Sequence, residues 1–288
     1  MTQPSTPAAA PVVIAAGGLG TRVGNWSPYL PKELRPVGGR PGLAHIVDEV
    51  AALGSFQAVV VHHPYYTPLI DWTRQVLAPG ALARYRALAN QSPALPAAAD
   101  RLQVDFIAQQ GRYADVTSVL NGAEHLRVGE FYVVFADNVD PTHTALSALA
   151  TAAPLDTPAV LAAPFEVEAA SDHGVIVCSG TGPTQRMVGL IEKPDRERAI
   201  RLAAECGDDN LRLLRGRMRV TPHLVNHLVA VARRTRSEPK LSLALASYAR
   251  SHPVDVITNT LSFTDLGLPG RERSEGTEPL RVATLARS

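Results

Sequence analysis

The sequence feature that most constrains the fold of this chain is a short apolar run followed directly by a glycine-rich turn. It lies at residues 12–20, which read VVIAAGGLG. The β-branched run is short and ends at glycines, as is typical of a strand buried on both faces of a sheet. A strand that runs into such a turn exposes backbone N–H groups where no side chain blocks approach, and these groups can hold phosphate. The chain therefore predicts a phosphate-binding turn after a buried strand.

Strand and helix patterns alternate through the first half of the chain. Strands are predicted at 57–63, 102–109 and 130–138, and helices at 43–54, 67–78 and 115–126. This alternation indicates a parallel sheet with right-handed crossovers. Between these elements, the Ala- and Pro-rich residues 81–100 predict a surface loop in their second half.

The second half of the chain has a more mixed pattern. Strands are predicted near 158–167, 174–179, 187–194, 254–259 and 261–265, and helices near 195–206, 222–234 and 240–251. Neither an internal repeat nor a clean linker interrupts the pattern. The predicted fold class is therefore α/β, with one domain at 12–270, a flexible tail at 1–11 and a second tail at 271–288.

Charge and cysteine content exclude several classes of protein. Lys plus Arg (28) nearly balances Asp plus Glu (27), whereas a nucleic-acid surface needs a strong basic excess. The two cysteines form no C-x-x-C pair, which disfavours a disulfide framework or structural zinc. No apolar stretch approaches the ~18 residues of a spanning helix, and no signal core precedes the first strand. We therefore expect a cytoplasmic protein with no nucleic-acid or membrane partner.

Two familiar phosphate loops can be tested against the glycine turn. The dinucleotide fingerprint G-x-G-x-x-G can start at Gly18 and Gly20, but Val23 occupies its third position. This substitution argues against a dinucleotide-dependent oxidoreductase. The P-loop requires Gly-Lys followed by Ser or Thr, and this triplet occurs nowhere in the chain.

A third comparison accounts for more of the sequence. AAGGLGTR followed by PKELRPVGGRP resembles the two-part signature of the sugar-1-phosphate nucleotidylyltransferases, with Arg22 and Lys32 in the signature positions. The likeness is closest to the bacterial UTP–glucose-1-phosphate uridylyltransferases. It implies a Rossmann-like, mostly parallel (mixed) sheet flanked by helices, as in nucleotide-diphospho-sugar transferases. It also implies a nucleotide-binding half at 12–140 and a sugar-binding half at 141–270.

The resemblance implies how the signature binds nucleotide. The turn would wrap the triphosphate, Arg22 would hold the β- and γ-phosphates with its planar fork, and Lys32 would lie near the α-phosphate. Gln110, with Gln109 as the second choice, would meet the base edge. The implied nucleotide-binding residues are Ala15, Ala16, Gly17, Gly18, Leu19, Gly20, Thr21, Arg22, Lys32, Gln109, Gln110 and Asp115.

The resemblance also implies a metal site. FYVVFADN resembles the family strand that ends in a metal-binding aspartate, which assigns Asp137. FTDLG resembles the segment that carries the second aspartate, which assigns Asp265. Two carboxylates with phosphate oxygens and water suit a hard octahedral ion, so Mg²⁺ is the expected cofactor.

A sugar pocket is implied by further motifs. LIEKPD matches the family E-K-P, in which Glu192 would bond sugar hydroxyls and Lys193 would meet the sugar phosphate. DHGVI keeps the glycine whose backbone touches the sugar, at Gly174, while His173 replaces a usual tyrosine. Asn138, next to the first metal aspartate, completes the implied sugar-binding set. The implied catalytic residues are Arg22, Lys32 and Lys193.

Three departures from the family pattern bear on specificity. Aligned on Gln110, the base loop has Asp115 and Thr117 where the uridylyl enzymes have glycines. The family L-T-D-A becomes LSLA, which replaces an acid by Leu243. The family D-K-P after the signature becomes GGRP, which keeps a cation at Arg40 but has no carboxylate at Gly39. These side chains can change the shape of the base-binding or sugar-binding pocket. None of the changes removes Arg22 or Lys32.

The sequence therefore predicts transfer of a nucleoside monophosphate from UTP to glucose 1-phosphate, with release of pyrophosphate. The altered base loop keeps an alternative open, with GTP, dTTP or CTP and an unusual cyclitol or phosphonate acceptor. A catalytically silent sugar-nucleotide sensor is a different class, and the retained Asp137 and Asp265 argue against it. The resemblance further implies a homo-oligomer.

Overall fold

The structure, a computed structural model that describes residues 10–77, 84, 102–153 and 156–268, is built around one large mixed sheet. Its strands are β1 (Val12–Ala16), β2 (Pro36–Val37), β3 (Arg40–Pro41), β4 (Gln57–His62), β5 (Gln103–Ala108), β6 (Phe131–Phe135), β7 (Asn138–Val139), β8 (Ala159–Pro164), β9 (Gly174–Ser179), β10 (Thr184–Glu192), β11 (Leu211–Val220), β12 (Asp255–Thr258) and β13 (Thr264–Asp265). Its helices are α1 (Gly42–Ala52), α2 (Ile70–Leu77), α3 (Asp115–Leu126), α4 (Ala145–Ala152), α5 (Arg196–Cys206), α6 (Pro222–Arg234) and α7 (Leu241–Ala249). No helix in these ranges is both long and apolar enough to cross a membrane.

The first half of the chain forms the parallel side of the sheet. Nine strands follow the order β5-β4-β1-β6-β11-β8-β12-β10-β9, and the first four of these are mutually parallel. Their carboxyl ends therefore lie together at one edge, where open α/β sheets bind ligands. The α/β class and the mixed sheet predicted from the sequence are confirmed.

Strand β11 joins the two halves of the sheet, and the sequence pattern did not predict it. It lies antiparallel to β6 on one side and to β8 on the other. Its sequence, LRLLRGRMRV, intersperses arginines with apolar residues, so the alternation expected of a strand is masked. On the far side of β8, strand β12 is parallel to β8. Strand β10 is antiparallel to β12, and β9 is antiparallel to β10.

The core lies on both faces of the sheet. Val12 and Ile14 pack into one apolar cluster with residues of α1 and α4, whereas Val13 packs into a second cluster with residues of α3, α6 and α7. This division follows from the alternation of side chains along a strand that is covered on both faces. The glycine turn after β1 therefore follows directly from a strand that is buried in the core on both faces.

Several local elements differ from the sequence prediction. The predicted helix at 67–78 starts as a 3-10 helix, Pro64–Leu69, and becomes α-helical only at Ile70. Pro68 removes a backbone donor and thus limits regular helix there. Helix α4 was not predicted, because ALSALATA is short and gives little periodicity. Apart from residue 84, the predicted loop at 81–100 lies outside the described residues.

Candidate active site

Side chains from outside the glycine turn hold its backbone in one shape. Ser27 Oγ donates a hydrogen bond to the Gly20 carbonyl at 2.7 Å. Tyr66 Oη donates to the carbonyls of Ser27 at 2.7 Å and of Leu19 at 3.2 Å. Gly20 has φ +63°, a region that side-chain-bearing residues rarely adopt. The turn is therefore fixed by the fold of the chain itself.

Lys32 packs against this turn. A Cβ placed on Gly18 would lie 3.3 Å from Lys32 Cε and 3.4 Å from its Nζ. The ammonium donates a hydrogen bond to Asp137 Oδ2 and lies 4.0 Å from Glu33 Oε1. Burial alone would lower the pKa of Lys32, but the Asp137 and Glu33 carboxylates outweigh it and raise the pKa above its ordinary value. Lys32 is therefore a buried, protonated cation at the turn.

Asp137 lies in the turn after β6, at the same sheet edge as the glycine turn. Burial tends to raise the pKa of Asp137, but the charge and hydrogen bond of Lys32 lower it, and the net pKa is depressed. Lys193 lies near enough to add to this lowering. With its side chain 27% exposed, Asp137 is an ionised carboxylate that remains accessible from the cleft.

Asp265 is brought beside Asp137 by backbone pairing. Strand β13 pairs with β7, which sets Asp265 opposite Asn138. The Leu266 N–H donates to the Asp137 carbonyl at 2.7 Å, and Arg35 Nη1 donates to the Leu266 carbonyl at 2.9 Å. The two aspartates are distant in sequence, and these contacts fix them at one place in the fold.

Three charged side chains converge around Gly267. A Cβ placed there would lie 3.0 Å from Asp265 Oδ1, 3.7 Å from Asp137 Oδ2 and 3.7 Å from Arg22 Nη2. Burial and the Asp137 charge raise the pKa of Asp265, while the Gly267 N–H, Lys32 and Arg22 oppose the rise. The absence of a side chain at Gly267 thus keeps the space between the aspartates and Arg22 open.

The two aspartates fit a divalent cation that is bound together with substrate. Within the described residues, no group of three or more His, Cys, Asp or Glu side chains could hold a metal ion. Two carboxylates that face one open point nevertheless match the way Mg²⁺ binds in phosphate-transfer sites, where substrate oxygens and water complete the shell. The donor set is therefore suited to Mg²⁺ with a phosphorylated ligand rather than to a permanent structural metal.

Glu33 is a buried acid that the sequence analysis quoted within PKELRPV but did not assign. It is 2% exposed, and its Oε2 has no hydrogen-bond partner. Burial raises the pKa of Glu33 to about 7, although the Lys32 ammonium opposes the rise. Glu33 therefore titrates near neutral pH directly beside Lys32, and its negative charge helps to keep Lys32 protonated.

A cleft of about 510 Å³, including open solvent at its mouth, adjoins these groups. Its lining includes Gly17, Gly18, Lys32, Asp137, Gln109, Tyr113, Asp115, Ser118 and Glu238. The cleft thus joins the glycine turn to the start of α3.

The amide of Gln109 is committed to the protein's own structure. Its Oε1 accepts a hydrogen bond from Ser118 Oγ at 2.8 Å, and its Nε2 lies 3.2 Å from the Ala114 carbonyl to which it donates. Gln110 is exposed outside the cleft, and its backbone N–H donates to Asn121 Oδ1 at 2.8 Å. Of the two predicted base contacts, the structure brings only Gln109 to the cleft, and the role of Gln110 stays a prediction.

Asp115 is the first residue of α3 and reaches the cleft. Its Oδ1 accepts hydrogen bonds from the N–H groups of Val116 and Leu241, each at 2.7 Å. Burial raises the pKa of Asp115 to about 6, and Glu238 and Glu192 add to the rise while the two N–H groups oppose it. At pH above about 7, Asp115 is therefore ionised, with Oδ1 already occupied.

Three of the predicted sugar residues, Gly174, Glu192 and Lys193, lie at one end of the β9–β10 pair, whereas Asn138 lies on β7 in a separate two-stranded sheet. Gly174 and Glu192 are directly opposite each other in the β9–β10 pair, and a Cβ on Gly174 would lie 3.6 Å from Glu192 Oε2. Lys193 follows with φ +43°, a conformation that costs energy in a non-glycine residue. Asn138 Oδ1 is buried and has no hydrogen-bond partner. The strained lysine and the unpaired amide oxygen are both features of ligand sites.

Arg215, on β11, is a cation near this region that the sequence analysis did not single out. Its Nη1 lies 3.0 Å from His173 Nε2, and its guanidinium carbon lies 5.7 Å from the centre of the Phe263 ring. Its buried Nε has no hydrogen-bond partner. The RGR sequence was a possible signal, since arginine within a buried strand requires an anionic or aromatic partner.

Residues 11–208 match the family-wide sequence profile described as nucleotidyl transferase. The chain belongs to the nucleotidyl transferase family. This family membership agrees with the resemblance found in the glycine-turn signature. The matched range includes Lys32 and Asp137, which line the cleft.

Individual proteins similar to this nucleotidyl transferase differ in their substrates. A UDP-glucose pyrophosphorylase from Acinetobacter baumannii has a TM-score of 0.68 and 20% identity, with 90% of this chain and 89% of that chain covered. The inositol-1-phosphate CTP transferase from T. maritima has a TM-score of 0.65 and 13% identity, with 91% of each chain covered. Identities this low establish the fold alone.

One curated relative shares a more similar segment with this nucleotidyl transferase. CMP-5'-(3-aminopropyl)phosphonate synthase from Streptomyces rubellomurinus is 48% identical over 59 residues. That segment covers 20% of this chain and only 9% of the Streptomyces protein. The relative is therefore much longer, and the match concerns one part of each protein.

The tightness of the turn gives a testable prediction for Gly17. A Cβ on Gly17 would lie 2.3 Å from Gln109 Oε1 and 2.7 Å from Ser118 Oγ, so alanine must break that hydrogen bond. We expect Gly17→Ala to lower the free energy of unfolding by about 1–3 kcal/mol, as overpacking does, measured by urea denaturation. The matched control is Gly189→Ala, whose Cβ meets Val177 only at 3.8 Å. Equal stability of the two variants would contradict the close packing.

Proposed function

We propose that this protein transfers a nucleoside monophosphate from a nucleoside triphosphate to a sugar 1-phosphate or a related phosphorylated acceptor. One observation carries the proposal: Arg22, Lys32, Asp137 and Asp265 converge at the mouth of a glycine turn. Cations beside exposed backbone N–H groups suit a triphosphate, and the carboxylates suit the cation that accompanies it.

The reaction needs positioning and charge neutralisation rather than a covalent intermediate. A phosphate oxygen of the acceptor attacks the α-phosphorus of the triphosphate, and the bond to the bridging oxygen breaks as pyrophosphate leaves. Lys32, held by Asp137, would neutralise the charge that develops at the α-phosphate. Arg22 would hold the departing β- and γ-phosphates, because its planar fork contacts phosphate oxygens in pairs.

The acceptor would bind where Gly174, Glu192 and Lys193 meet. Glu192 faces Gly174 across the strand pair and can accept hydrogen bonds from hydroxyl groups. Lys193 lowers the pKa of Asp137 and is therefore close to the reacting end of the cleft, where it would orient the acceptor phosphate. Asp137 and Asp265 would hold Mg²⁺, which when bound supplies further neutralisation of phosphate charge.

Two substrate pairs follow from different features. The signature resembles that of UTP–glucose-1-phosphate uridylyltransferases, which supports UTP with glucose 1-phosphate. The second candidate is CTP with a phosphonate or cyclitol phosphate. This pair is favoured by the acidic Asp115 in the base loop, which lines the cleft. It is also favoured by the names of two similar proteins, the phosphonate synthase from Streptomyces rubellomurinus and the CTP transferase from T. maritima. The retained Lys32 and Asp137 argue against a silent sensor.

The test is pyrophosphate release with Mg²⁺, crossing UTP, CTP, dTTP, GTP and ATP with glucose 1-phosphate, inositol 1-phosphate and 3-aminopropylphosphonate. We expect release with one preferred pair, loss of release with excess chelator, and recovery when Mg²⁺ is added back. Release that is unchanged by chelation would contradict the metal assignment. Tight nucleotide binding with no release from any pair would overturn the proposed transfer and favour the sensor.

A further inference from the structure

Two carboxylates stand on the cleft wall beside the glycine turn. Asp115 and Glu238 both line the cleft that Gly17 and Gly18 also line, and the charge of Glu238 raises the pKa of Asp115. They are thus close in space although they come from α3 and from the segment before α7. An ionised carboxylate only accepts hydrogen bonds.

The orientation of Asp115 is fixed by two separate elements. Its Oδ1 accepts from Val116 N–H within its own helix and from Leu241 N–H at the start of α7. Among the residues that the structure describes, none forms a hydrogen bond with Oδ2. One carboxylate oxygen is therefore used by the fold, and the other is left for a ligand in the cleft.

Two other polar side chains on this wall, Gln109 and Ser118, are already paired with each other. Gln109 uses its amide oxygen on Ser118 and its amide nitrogen on backbone carbonyls, and it is 6% exposed. The Ser118 hydroxyl is the donor in that bond, and Gln110 lies outside the cleft. Beside the exposed Tyr113 hydroxyl, the carboxylates of Asp115 and Glu238 are therefore the charged hydrogen-bond acceptors near the start of α3.

We propose that Asp115, assisted by Glu238, determines base specificity by accepting a hydrogen bond from the 4-amino group of cytosine, so that CTP is preferred over UTP. This inference rests on the proposed function. Cytosine presents an N–H donor at the position where uracil presents the O4 acceptor. Uracil O4 against Asp115 would leave two acceptors facing each other and both unsatisfied, which is unfavourable in a partly buried site.

The decisive measurement is nucleotide binding in the absence of any acceptor. Dissociation constants for CTP, UTP and the triphosphate of pyrimidin-2-one riboside, which lacks the 4-amino group, are measured with Mg²⁺ by calorimetry. The wild-type protein should bind CTP at least about tenfold more tightly than either other nucleotide. Equal binding of CTP and the pyrimidinone nucleotide would overturn the inference, because the amino group would then contribute nothing.

Asp115→Asn is the matched variant. It keeps an oxygen that can accept from Val116 and Leu241 and replaces Oδ2 by an amide donor, which suits uracil O4. We expect the CTP preference to disappear and UTP to bind at least as tightly as CTP. An equal loss of affinity for both nucleotides would show a structural role only and overturn the inference.

Glu238→Gln provides a second variant that does not depend on the Asp115 contacts. Glu238 is exposed, so its replacement leaves the fold intact, and it should reduce the CTP preference by a few-fold. An ammonium group on the acceptor would also suit two carboxylates. If the two carboxylates bind such an ammonium group instead of the base, both variants would leave the binding of CTP and UTP unchanged in the absence of acceptor. That result would overturn the inference of base recognition.

The binding experiment separates this inference from the proposed function. A CTP preference that Asp115→Asn removes, without pyrophosphate release from any acceptor, would keep the base assignment and reject the transfer reaction. Release of pyrophosphate with UTP preferred would keep the reaction and reject the base assignment.

Discussion

Replacing Asp137 by asparagine should lower kcat/KM for pyrophosphate release about a thousandfold while the protein stays folded. The carboxylate holds Lys32 beside the glycine turn and faces the same open point as Asp265. Asparagine is similar in shape but neutral, so it can neither pair with a buried ammonium nor bind a divalent cation strongly. The backbone carbonyl of residue 137 still accepts from Leu266 N–H, so the local fold is retained.

The control for this change is another aspartate-to-asparagine substitution on the same sheet. Asp105 lies on β5 and pairs with His125 at 2.9 Å, with about a third of each side chain exposed. Because such exposed pairs contribute little, Asp105→Asn should keep activity within about twofold of wild type. Activity in Asp137→Asn comparable to this control would show that the Lys32–Asp137 pair has no part in the reaction.

The first half of the fold could be predicted from sequence because its signals are local. VVIAA is a buried strand that ends at a glycine turn, and the helix predicted at 115–126 coincides with α3. Strand β11 was hidden because its buried arginines interrupt the apolar pattern. Their burial depends on partners such as Glu49, which lies far away in sequence. No local pattern can reveal such pairing.

The candidate site was predicted as a set of residue types but not as an arrangement. The proximity of Asp137 and Asp265 depends on the pairing of β7 with β13, two very short strands with weak sequence signals. The sequence also could not show that Gln109 is committed to Ser118, since either glutamine fits the family position. Which polar groups remain free for a ligand is decided by packing.

The second large effect is expected at the buried ion pair between Glu49 and Arg217, both of which are 0% exposed. Arg217 Nε donates to Glu49 Oε1 at 3.0 Å, and its Nη2 donates to Oε2 at 2.5 Å. Arg217→Met should lower the free energy of unfolding by about 3–5 kcal/mol, because it leaves Glu49 buried without a partner. The loss is measured by urea denaturation.

Arg40→Met is the matched control, since Arg40 forms a comparable pair with Asp48 at 2.6 Å but its side chain is 46% exposed. Exposed pairs contribute at most about 1 kcal/mol, so this variant should be nearly as stable as wild type. Equal destabilisation of the two variants would show that the burial of Glu49 has no special energetic consequence.

Arg217 should also affect the reaction, because it connects the ion pair to the active site. Its Nη1 donates to the Asn138 carbonyl at 2.5 Å, and Asn138 directly follows Asp137. The double variant Glu49→Leu, Arg217→Met removes both charges and should recover much of the stability lost in Arg217→Met, since neither group then stays unpaired. It cannot restore the bond to Asn138. Recovery of stability without recovery of kcat would therefore separate the two roles of Arg217, whereas full recovery of both would leave the arginine with a structural role only.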